Sequence, residues 1–378
     1  MLTGPRFLLY AQGGYSDRLR AVPFVRAIRE ANPTASIAIL GYEPGRELWE
    51  GCPHVDEFVC LGAAPVLGRG RLVQLRKAAL AVRTARGRRG HHDIFVNLSV
   101  MPAGLFPGLL SVLSGIPKRV GYGGPGAGVN VTPGLADMRI PYETRTATLL
   151  DHLAIEATDL RLEAWCSAED RAAVARMLEE QPRGAGGPTV VCHPSSDWSC
   201  QMWPAARWAQ VIDALASRHR CRVVLSGTAE ERAFTDEIVS LSSESVTDLV
   251  GRTSHGQLTA LVEQADLVLT LDTLIAPLAR AMGTEVVTLM AADTPNWSPR
   301  RLVELGALGI TASSSDDHPW SVRCKWRRTG VVERCQSSSC VGVHGMGGIT
   351  TESILAQISA RFRARLEIVP SLAAADGN

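Results

Sequence analysis

The sequence has no excess of charge of either sign. It carries 39 basic and 38 acidic residues among 378, which gives a formal net charge of +1 at pH 7. A protein that binds nucleic acid along its surface needs a basic surplus, so the composition argues against that class. The basic residues are almost all Arg, with Lys only at positions 77, 118 and 325.

Long apolar runs are also scarce. Gly, Pro or charged residues interrupt each run before it reaches the roughly 18 residues that a membrane-spanning helix needs. The N-terminal stretch MLTGPRFLLYAQGG has a single short apolar run, which is too short for the core of a signal peptide. We therefore expect a cytoplasmic protein.

Motifs that hold metal ions are few. No Asp-x-Asp sequence occurs, so the carboxylate pair that usually holds a divalent ion on a diphosphate is missing. The nine Cys residues include no Cys-x-x-Cys pair. One cluster has the residue types of a zinc site. It either binds zinc or is a loop whose thiols are free or locally paired. It consists of Cys324, Cys335, Cys340 and His344.

The chain does contain a regular alternation of strand and helix patterns. In the first half, RFLLYA, ASIAILG, VDEFVCL and DIFVNLS are typical of strands, and helices are predicted over 17–31, 70–87 and about 143–160. Alternation of this kind predicts a parallel sheet with helices on both faces. The length exceeds that of a single hydrophobic core, so we expect two domains.

The alternation restarts after the flexible stretch PRGAGGP, which is the best candidate for a linker. We predict an α/β protein with two parallel-sheet domains that face a central cleft. The predicted division is a first domain over 1–181, a linker over 182–188, a second domain over 189–350, a helix over 351–366 that could pack back on the first domain, and a loose tail over 367–378.

One glycine motif is set aside. Gly121, Gly123 and Gly126 match Gly-x-Gly-x-x-Gly, the fingerprint of a dinucleotide site. That fingerprint requires a helix directly afterwards, whereas the following AGVNVTPGL is not helical in character. We interpret the stretch as a glycine-rich loop that faces the cleft.

In the first domain, the stretch AQGGYSDRLRAVP joins the first strand to a helix. Gly13 and Gly14 allow a tight turn, and Asp17 opens the helix. Asp17 is then either a helix cap or a general base that faces the cleft, and both roles are compatible if Ser16 caps the helix.

In the second domain, polar residues follow three predicted strands. Hydroxyls and free N–H groups at the carboxyl ends of parallel strands can hold a phosphate, and a carboxylate there can bind ribose hydroxyls. The alternative is that the same residues only cap helices or line polar loops. They are Ser195, Ser196, Gly227, Thr228, Glu231, Asp272 and Thr273.

The order and spacing of these stretches resemble glycosyltransferase family 9, whose best-known members add heptose to the lipopolysaccharide inner core. The family's N-terminal pattern, Gly-Asp, two residues, His-Thr-x-Pro, is matched from Ser16-Asp17 to Pro23. Its His-Pro-Gly and Lys-x-Trp-Pro patterns are matched by residues 193–195 and 201–204.

Later motifs follow in the family's order. Leu-x-Gly-x-x-x-Glu is matched by residues 225–231, and Leu-x-Gly-x-Thr by residues 249–253. The family's Asp-Thr-Gly-x-x-His loop corresponds to residues 272–277, followed by the Leu-Ala-x-Ala-x-Gly-Thr run from Leu278. The stretch DIFVNLSVMPAG is similar to the family's Asp-x-x-Ile-Asp-Leu-Gln strand. The resemblance covers most of the chain.

This resemblance implies the GT-B fold, two Rossmann-like domains of which the first binds the acceptor and the second binds the nucleotide sugar. It also implies an inverting, metal-independent transfer, with Asp17 as the catalytic base and no cofactor besides the nucleoside diphosphate sugar. An ADP-sugar is the favoured donor. The implied donor-binding residues are Ser195, Ser196, Gln201, Gly227, Thr228, Glu231, Asp272, Thr273 and Leu274. The implied acceptor-binding residues are Gly13, Gly14, Arg18 and Arg20.

The sequence also departs from the family. Gln201 replaces a Lys, Leu274 a Gly, Pro277 a His, and Arg20 a His. The loss of the Lys removes a cation expected near the phosphates, which Arg18, Arg20 or Arg300 could replace. A catalytically weak sugar-nucleotide-binding homologue that acts as a partner protein is therefore the alternative, and an epimerase with the same two-domain outline is a third hypothesis.

The acceptor has one indication in the sequence. Seven Arg and one Lys with no acidic residue lie between Arg69 and Arg89, interleaved with Leu and Val. This segment either contacts an anionic membrane surface or a phosphorylated acceptor, or is a solvated helix face. The acceptor is accordingly a glycan, a lipid-linked sugar or a small natural-product scaffold such as an aminocyclitol. Nothing in the sequence indicates the oligomeric state.

Overall fold

The fold was analysed in a computed structural model. It describes residues 4–11, 14–43, 45–63, 71–87, 90–98, 110–121, 142–156, 159–180, 187–196, 201–290, 308–311, 346 and 349–368. The predicted zinc cluster, Gly13, Gly123, Gly126, Arg300 and nearly all of the linker lie outside these ranges.

The first half of the chain forms a five-stranded parallel sheet with strand order β3-β2-β1-β4-β5. Its strands are β1 (Arg6–Ala11), β2 (Ser36–Glu43), β3 (Glu57–Ala63), β4 (Ile94–Asn97) and β5 (Lys118–Gly121). The helices of this half are α1 (Tyr15–Ala31), α2 (Arg46–Glu50), α3 (Arg71–Gly87) and α4 (Tyr142–Asp151). The chain moves outward from β1 to β3 and then returns to the other side of β1, so the strand order reverses between β1 and β4.

The second half forms a six-stranded parallel sheet with strand order β11-β10-β9-β6-β7-β8. Its strands are β6 (Thr189–His193), β7 (Arg222–Leu225), β8 (Thr247–Asp248), β9 (Leu267–Leu271), β10 (Val286–Met290) and β11 (Leu308–Thr311). Its helices are α5 (Ala168–Glu179), α6 (Ala205–Ser217), α7 (Arg232–Leu241), α8 (His255–Gln264), α9 (Ile275–Ala281) and α10 (Thr351–Ile368). Here the order reverses between β6 and β9.

Burial explains why the strands read as continuous apolar runs. Every residue of β9 and of β10 is buried, as expected for central parallel strands that helices cover on both faces. The largest side chains of the second core are two tryptophans in edge-to-face contact, with ring centroids 5.5 Å apart. These are Trp203 and Trp208, and the indole of Trp203 also donates to the backbone oxygen of Ile349 at 3.1 Å. This hydrogen bond ties the segment before α10 to the second half.

The terminal helix does not follow its prediction. The described side chains of α10 pack against α6 of the second half, with Ile354 and Ile358 in the second core and Thr351 bonded to Gln210 at 3.0 Å. The described part of this helix therefore packs on the second half and not, as expected, on the first domain. The apolar side chains of Ile354 and Ile358 are fully buried there, which stabilises this packing.

Two helices of the middle of the chain also differ from expectation. The helix predicted over about 143–160 ends at Asp151, because Ala154 takes a left-handed φ of 59° and the N–H of Ile155 bonds back to Leu150. Helix α5, which lies in the predicted first domain, packs against α8 of the second half through the ion pair of Arg171 with Glu263 at 2.6 Å. None of the described helices is long and apolar enough to cross a bilayer.

Candidate functional site

The two points of strand-order reversal carry the candidate site residues. In open parallel sheets, ligands bind outside the carboxyl ends of the strands where the order reverses. Asp17 follows β1 at this edge of the first sheet. Ser195 and Ser196 follow β6, and Asp272 and Thr273 follow β9, on the two sides of the reversal in the second sheet.

Contacts between the halves show that these two edges face each other. The ring of Tyr15, the first residue of α1, meets the imidazole of His255, the first residue of α8, in an edge-to-face contact of 4.8 Å. The carboxylate of Glu47 in α2 accepts a hydrogen bond of 2.9 Å from the N–H of Gly256. Helices that follow parallel strands begin at the carboxyl edge of a sheet, so these contacts join the two carboxyl edges.

Asp17 both caps its helix and remains accessible. One carboxylate oxygen accepts the N–H of Gly14 at 3.1 Å, and the other lies 3.6 Å from the guanidinium of Arg20. Gly14, and not Ser16, is the N-cap residue of α1. The side chain of Asp17 is 33% exposed, so the capping interaction leaves it open to a ligand.

Arg18 lies in the interior although it was expected to meet the acceptor directly. The residue is only 2% exposed, and its guanidinium packs against the backbone of Gly45. Burial lowers the pKa of Arg18, and the nearby negative charges of Asp17 and Glu43 oppose that shift. Its Nε and Nη1 have no hydrogen-bond partner in the described part of the chain.

The loop after β6 presents hydroxyls and an amide. Ser195 is 2% exposed, and its Oγ has no hydrogen-bond partner among the described residues. Ser196 Oγ donates to Gln201 Oε1 at 2.9 Å, and Gln201 is itself buried. Position 201, where glycosyltransferases of the family named above have Lys, thus carries a neutral amide that contacts the loop after β6.

Threonine hydroxyls connect the ends of β6 and β9. Thr270 Oγ1 lies 3.2 Å from the backbone oxygen of His193 and 3.2 Å from Thr273 Oγ1. Neither Asp272 nor Thr273 is the N-cap residue of α9, which is Leu274. Pro277 lies buried in the first turn of this helix, where its missing N–H removes no helical hydrogen bond. The family's Gly and His are therefore replaced without disrupting the helix.

The turn after β7 holds Glu231 close to two neighbouring residues. Its Oε2 accepts the N–H of Thr228 at 2.7 Å and lies 4.0 Å from Nε2 of His193. Gly227 makes this approach possible, because a Cβ at that position would lie 3.0 Å from the same oxygen. The ring of His193 was not predicted as a site residue, although its position in the His-Pro motif was a signal for it.

No metal site is evident in the described ranges: they contain no group of three or more His, Cys, Asp or Glu that could hold an ion. The described cysteines are all free, and burial raises the pKa of Cys221 to about 12 and that of Cys166 to about 11. Thiols with such values are poor nucleophiles and poor metal ligands at neutral pH.

The fold and the site together define a class. Two Rossmann-like sheets whose carboxyl edges face each other are the GT-B arrangement of glycosyltransferases. The profile of glycosyltransferase family 9 (heptosyltransferase) matches residues 97–308, more than half of the sequence. The chain belongs to this family and is a glycosyltransferase.

Known proteins similar to this chain agree with that assignment. Lipopolysaccharide heptosyltransferase 3 of Escherichia coli strain K12 is 23% identical over 290 residues, which cover 75% of this chain and 82% of that protein. A glycosyltransferase family 9 structure from Veillonella parvula superposes with a TM-score of 0.75 at 17% identity, covering 94% and 96% of the two chains. The structure of E. coli ADP-heptose lipopolysaccharide heptosyltransferase II gives a TM-score of 0.69 at 18% identity, covering 94% and 98%.

Proposed function

We propose that the protein transfers a heptose or a related sugar from a nucleoside diphosphate donor, with an ADP-sugar favoured, to a hydroxyl of a lipopolysaccharide-core type acceptor. The observation that carries the proposal is that an accessible carboxylate, Asp17, and the buried hydroxyl of Ser195 lie on two sheet edges that face each other. Among the described residues, the Ser195 hydroxyl has no hydrogen-bond partner. The printed names of the relatives, lipopolysaccharide heptosyltransferases, support the donor and acceptor classes.

The proposed reaction is a direct displacement with inversion. Asp17 takes the proton from the acceptor hydroxyl, whose oxygen attacks the anomeric carbon from the face opposite the nucleotide. The bond from that carbon to the diphosphate oxygen breaks as the new glycosidic bond forms. Positive charge develops on the sugar ring and negative charge on the leaving diphosphate.

The residues of the second half then act on the donor without a metal ion. The hydroxyl of Ser195 and the amide N–H₂ of Gln201 are assigned as donors to the diphosphate, and Ser196 holds the amide of Gln201 by donating to its Oε1. Thr273 lies on the other side of the reversal. Glu231, with Gly227 and Thr228, is assigned to the ribose or base. Asp272 is assigned to sugar hydroxyls because its negative charge is unsuited to a phosphate, and Leu274 lines the same loop.

The first half is proposed to bind the acceptor. Gly13 and Gly14 shape the turn before α1, and Arg20 lies beside Asp17. The buried Arg18, which packs against Gly45, contributes positive charge. The last turns of α3 expose Arg83 and Arg86, which supports a peripheral contact of a cytoplasmic enzyme with an anionic membrane surface. A small natural-product scaffold such as an aminocyclitol is the other acceptor class that this site could take.

One observation favours a second candidate function, a catalytically weak homologue that binds nucleotide sugars as a partner protein. The neutral Gln201 is buried and bonded to Ser196, so the diphosphate site lacks the family's cation at this position. Such a protein would bind the nucleotide without transferring the sugar.

A melting-temperature screen against ADP, GDP, UDP and dTDP, followed by a transfer assay, tests both candidates. A ligand at about 100 times its Kd stabilises the native state by about 2.7 kcal/mol, and we expect the largest shift with ADP. Release of ADP from ADP-heptose only in the presence of a lipopolysaccharide-core acceptor would support the transferase. A shift with ADP but no release would favour the partner protein, and no shift with any nucleotide would contradict both.

A further inference from the structure

His193 is a buried imidazole that the proposed reaction does not use. It is the last residue of β6, beside the point where the strand order of the second sheet reverses, and its side chain is 9% exposed. Its Nδ1 lies 3.1 Å from Oγ of Ser226, the fully buried residue that follows β7. Its Nε2 faces Oε2 of Glu231 at 4.0 Å.

Each of these two neighbours favours the same tautomer of a neutral ring. A carboxylate only accepts hydrogen bonds, so a lone pair on Nε2 would face the negative charge of Glu231. A proton on Nε2 removes that repulsion and leaves Nδ1 as an acceptor. The hydroxyl of Ser226 can donate to Nδ1, so the Ser226–His193 pair favours the Nε2–H tautomer.

The tautomer matters because Glu231 has one engaged and one available oxygen. Oε2 accepts the N–H of Thr228 at 2.7 Å and faces the ring of His193. Among the described residues, no donor contacts Oε1. Interactions on Oε2 fix the rotation of the carboxylate, so Oε1 is held as the acceptor that remains for a ligand.

We infer that Ser226 and His193 are positioning residues, which act through Glu231 to hold the carboxylate that binds the nucleoside of the donor. This inference rests on the proposed function for the identity of the ligand, but the Ser226–His193 hydrogen bond and the contact of the ring with Glu231, together called the relay, are properties of the protein alone. Serine orients the imidazole, the imidazole orients the carboxylate, and the carboxylate then meets ribose hydroxyls without losing conformational freedom on binding.

Nitrogen NMR of the full-length protein labelled at histidine tests the relay without any ligand. At pH 7.5 we expect the resonances of His193, assigned by their loss in His193→Gln, to show an unprotonated Nδ1 and a protonated Nε2. Ser226→Ala should raise the population of the Nδ1–H form. A protonated Nδ1 in the wild-type protein, or an unchanged tautomer in Ser226→Ala, would overturn the relay.

Calorimetric titration with ADP tests the consequence for binding. Ser226→Ala and His193→Leu should each weaken ADP binding about tenfold, because Glu231 is then no longer held in place for the ligand. His193→Gln keeps an N–H near Glu231 and should weaken ADP binding less. Ser240→Ala, which removes an exposed hydroxyl on α7, is the matched control and should bind as the wild type does.

The two measurements separate the possible failures. If the wild-type protein does not bind ADP, the proposed donor is wrong, and the NMR tautomer alone decides the relay. If ADP binds and all four variants bind it equally, the positioning role is wrong while the donor assignment stands. In an active transferase, Ser226→Ala, His193→Leu and His193→Gln should raise KM for the donor and leave kcat within about twofold, since the relay acts on binding and not on the acceptor hydroxyl.

Discussion

The carboxylate of Glu47 caps the first turn of a helix that begins more than two hundred residues later. It accepts the N–H of Gly256 at 2.9 Å, across the junction of the two halves. A second carboxylate, that of Asp170, lies so close that a Cβ at Gly256 would be 2.6 Å from its Oδ2. The start of α8 therefore bonds to Glu47 and packs against Asp170, and a glycine at position 256 leaves room for the Asp170 carboxylate.

Glu47→Gln should loosen this junction. The change removes the negative charge at the helix N-terminus, an interaction of about 0.5–1 kcal/mol, and should lower Tm by about 2 °C at low salt. The loss should shrink in 0.5 M NaCl, because exposed charges are screened. Glu50→Gln, on the same helix but paired with Arg46, is the control. Equal melting curves for the two variants would contradict the assigned role of Glu47.

His255 should make the junction sensitive to acid. Burial lowers the pKa of His255 below its usual value of 6.5, the nearby Glu47 opposes this shift, and Arg18 adds to it. The folded protein then binds fewer protons than the unfolded chain, so stability is retained above pH 6.5 and falls as the pH drops below it.

His255→Phe keeps an aromatic ring beside Tyr15 but cannot be protonated. The loss of unfolding free energy between pH 8 and pH 5.5, measured by urea denaturation, should be smaller in this variant than in the wild type. His152→Phe, at an exposed position away from the junction, is the control for a general effect of removing a histidine. An identical pH dependence in the wild type and His255→Phe would rule out this contribution.

Asp17→Asn should abolish transfer while preserving the fold. The amide oxygen of Asn can still accept the N–H of Gly14, so the helix start is retained, but the side chain can no longer accept a proton from the acceptor. We expect kcat to fall by about 10²–10⁴-fold with ADP affinity unchanged.

Asp170→Asn provides the matched control for the previous variant. Asp170 occupies the same third position of α5, where it accepts the N–H of Ser167 at 2.9 Å. Both variants should lose similar stability, but only Asp17→Asn should lose turnover. Unchanged kcat in Asp17→Asn would show that another group is the base.

Gln201→Lys should restore a cation at the diphosphate site. An ammonium at this position should increase the affinity for ADP about tenfold and make ADP binding more dependent on salt. Gln201→Met removes the amide that bonds to Ser196 without adding charge, so it should weaken ADP. If Gln201→Lys binds ADP no better than the wild type, residue 201 does not contact the phosphates.

Much of the architecture follows from local sequence patterns. LVLTL and VVTLM are continuous apolar runs, and they form the fully buried strands β9 and β10. Ser167 and Ser254 each precede a polar residue by three positions, and both cap their helices as this pattern predicts. These features depend on neighbours in the chain, so the sequence alone reveals them.

The sequence analysis did not predict the short elements at the sheet edges, because these depend on distant parts of the chain. β5 contains two basic residues in four, and this Lys118–Gly121 strand forms because it pairs with β4 and not because of its own propensity. β11 and the five-residue α2 are likewise too short to show a period. Tertiary pairing decides the structure of such segments, and a local pattern does not contain that information.

The candidate site also contains residues that the sequence could indicate and residues that it could not. Residues that directly follow strands, such as Asp17, Ser195 and Glu231, could be chosen from the sequence, because the carboxyl edge of a parallel sheet is where loops gather. The contact of Glu47 with Gly256 could not be, since it joins positions 209 residues apart. The burial of Arg18 was also hidden, because an arginine in an exposed-looking motif gives no sign of the glycine that covers it.

Helix α1, which carries Asp17, is anchored to the segment that leaves the first half. The buried guanidinium of Arg26 meets Glu163 at 2.5 Å and donates to the backbone oxygen of Asp159 at 2.9 Å. Only a few residues later, α5 begins its contacts with the second half. If one half rotated against the other about this stretch, α1 and Asp17 would move with the segment as one rigid unit, because the contacts of Arg26 fasten the helix to it.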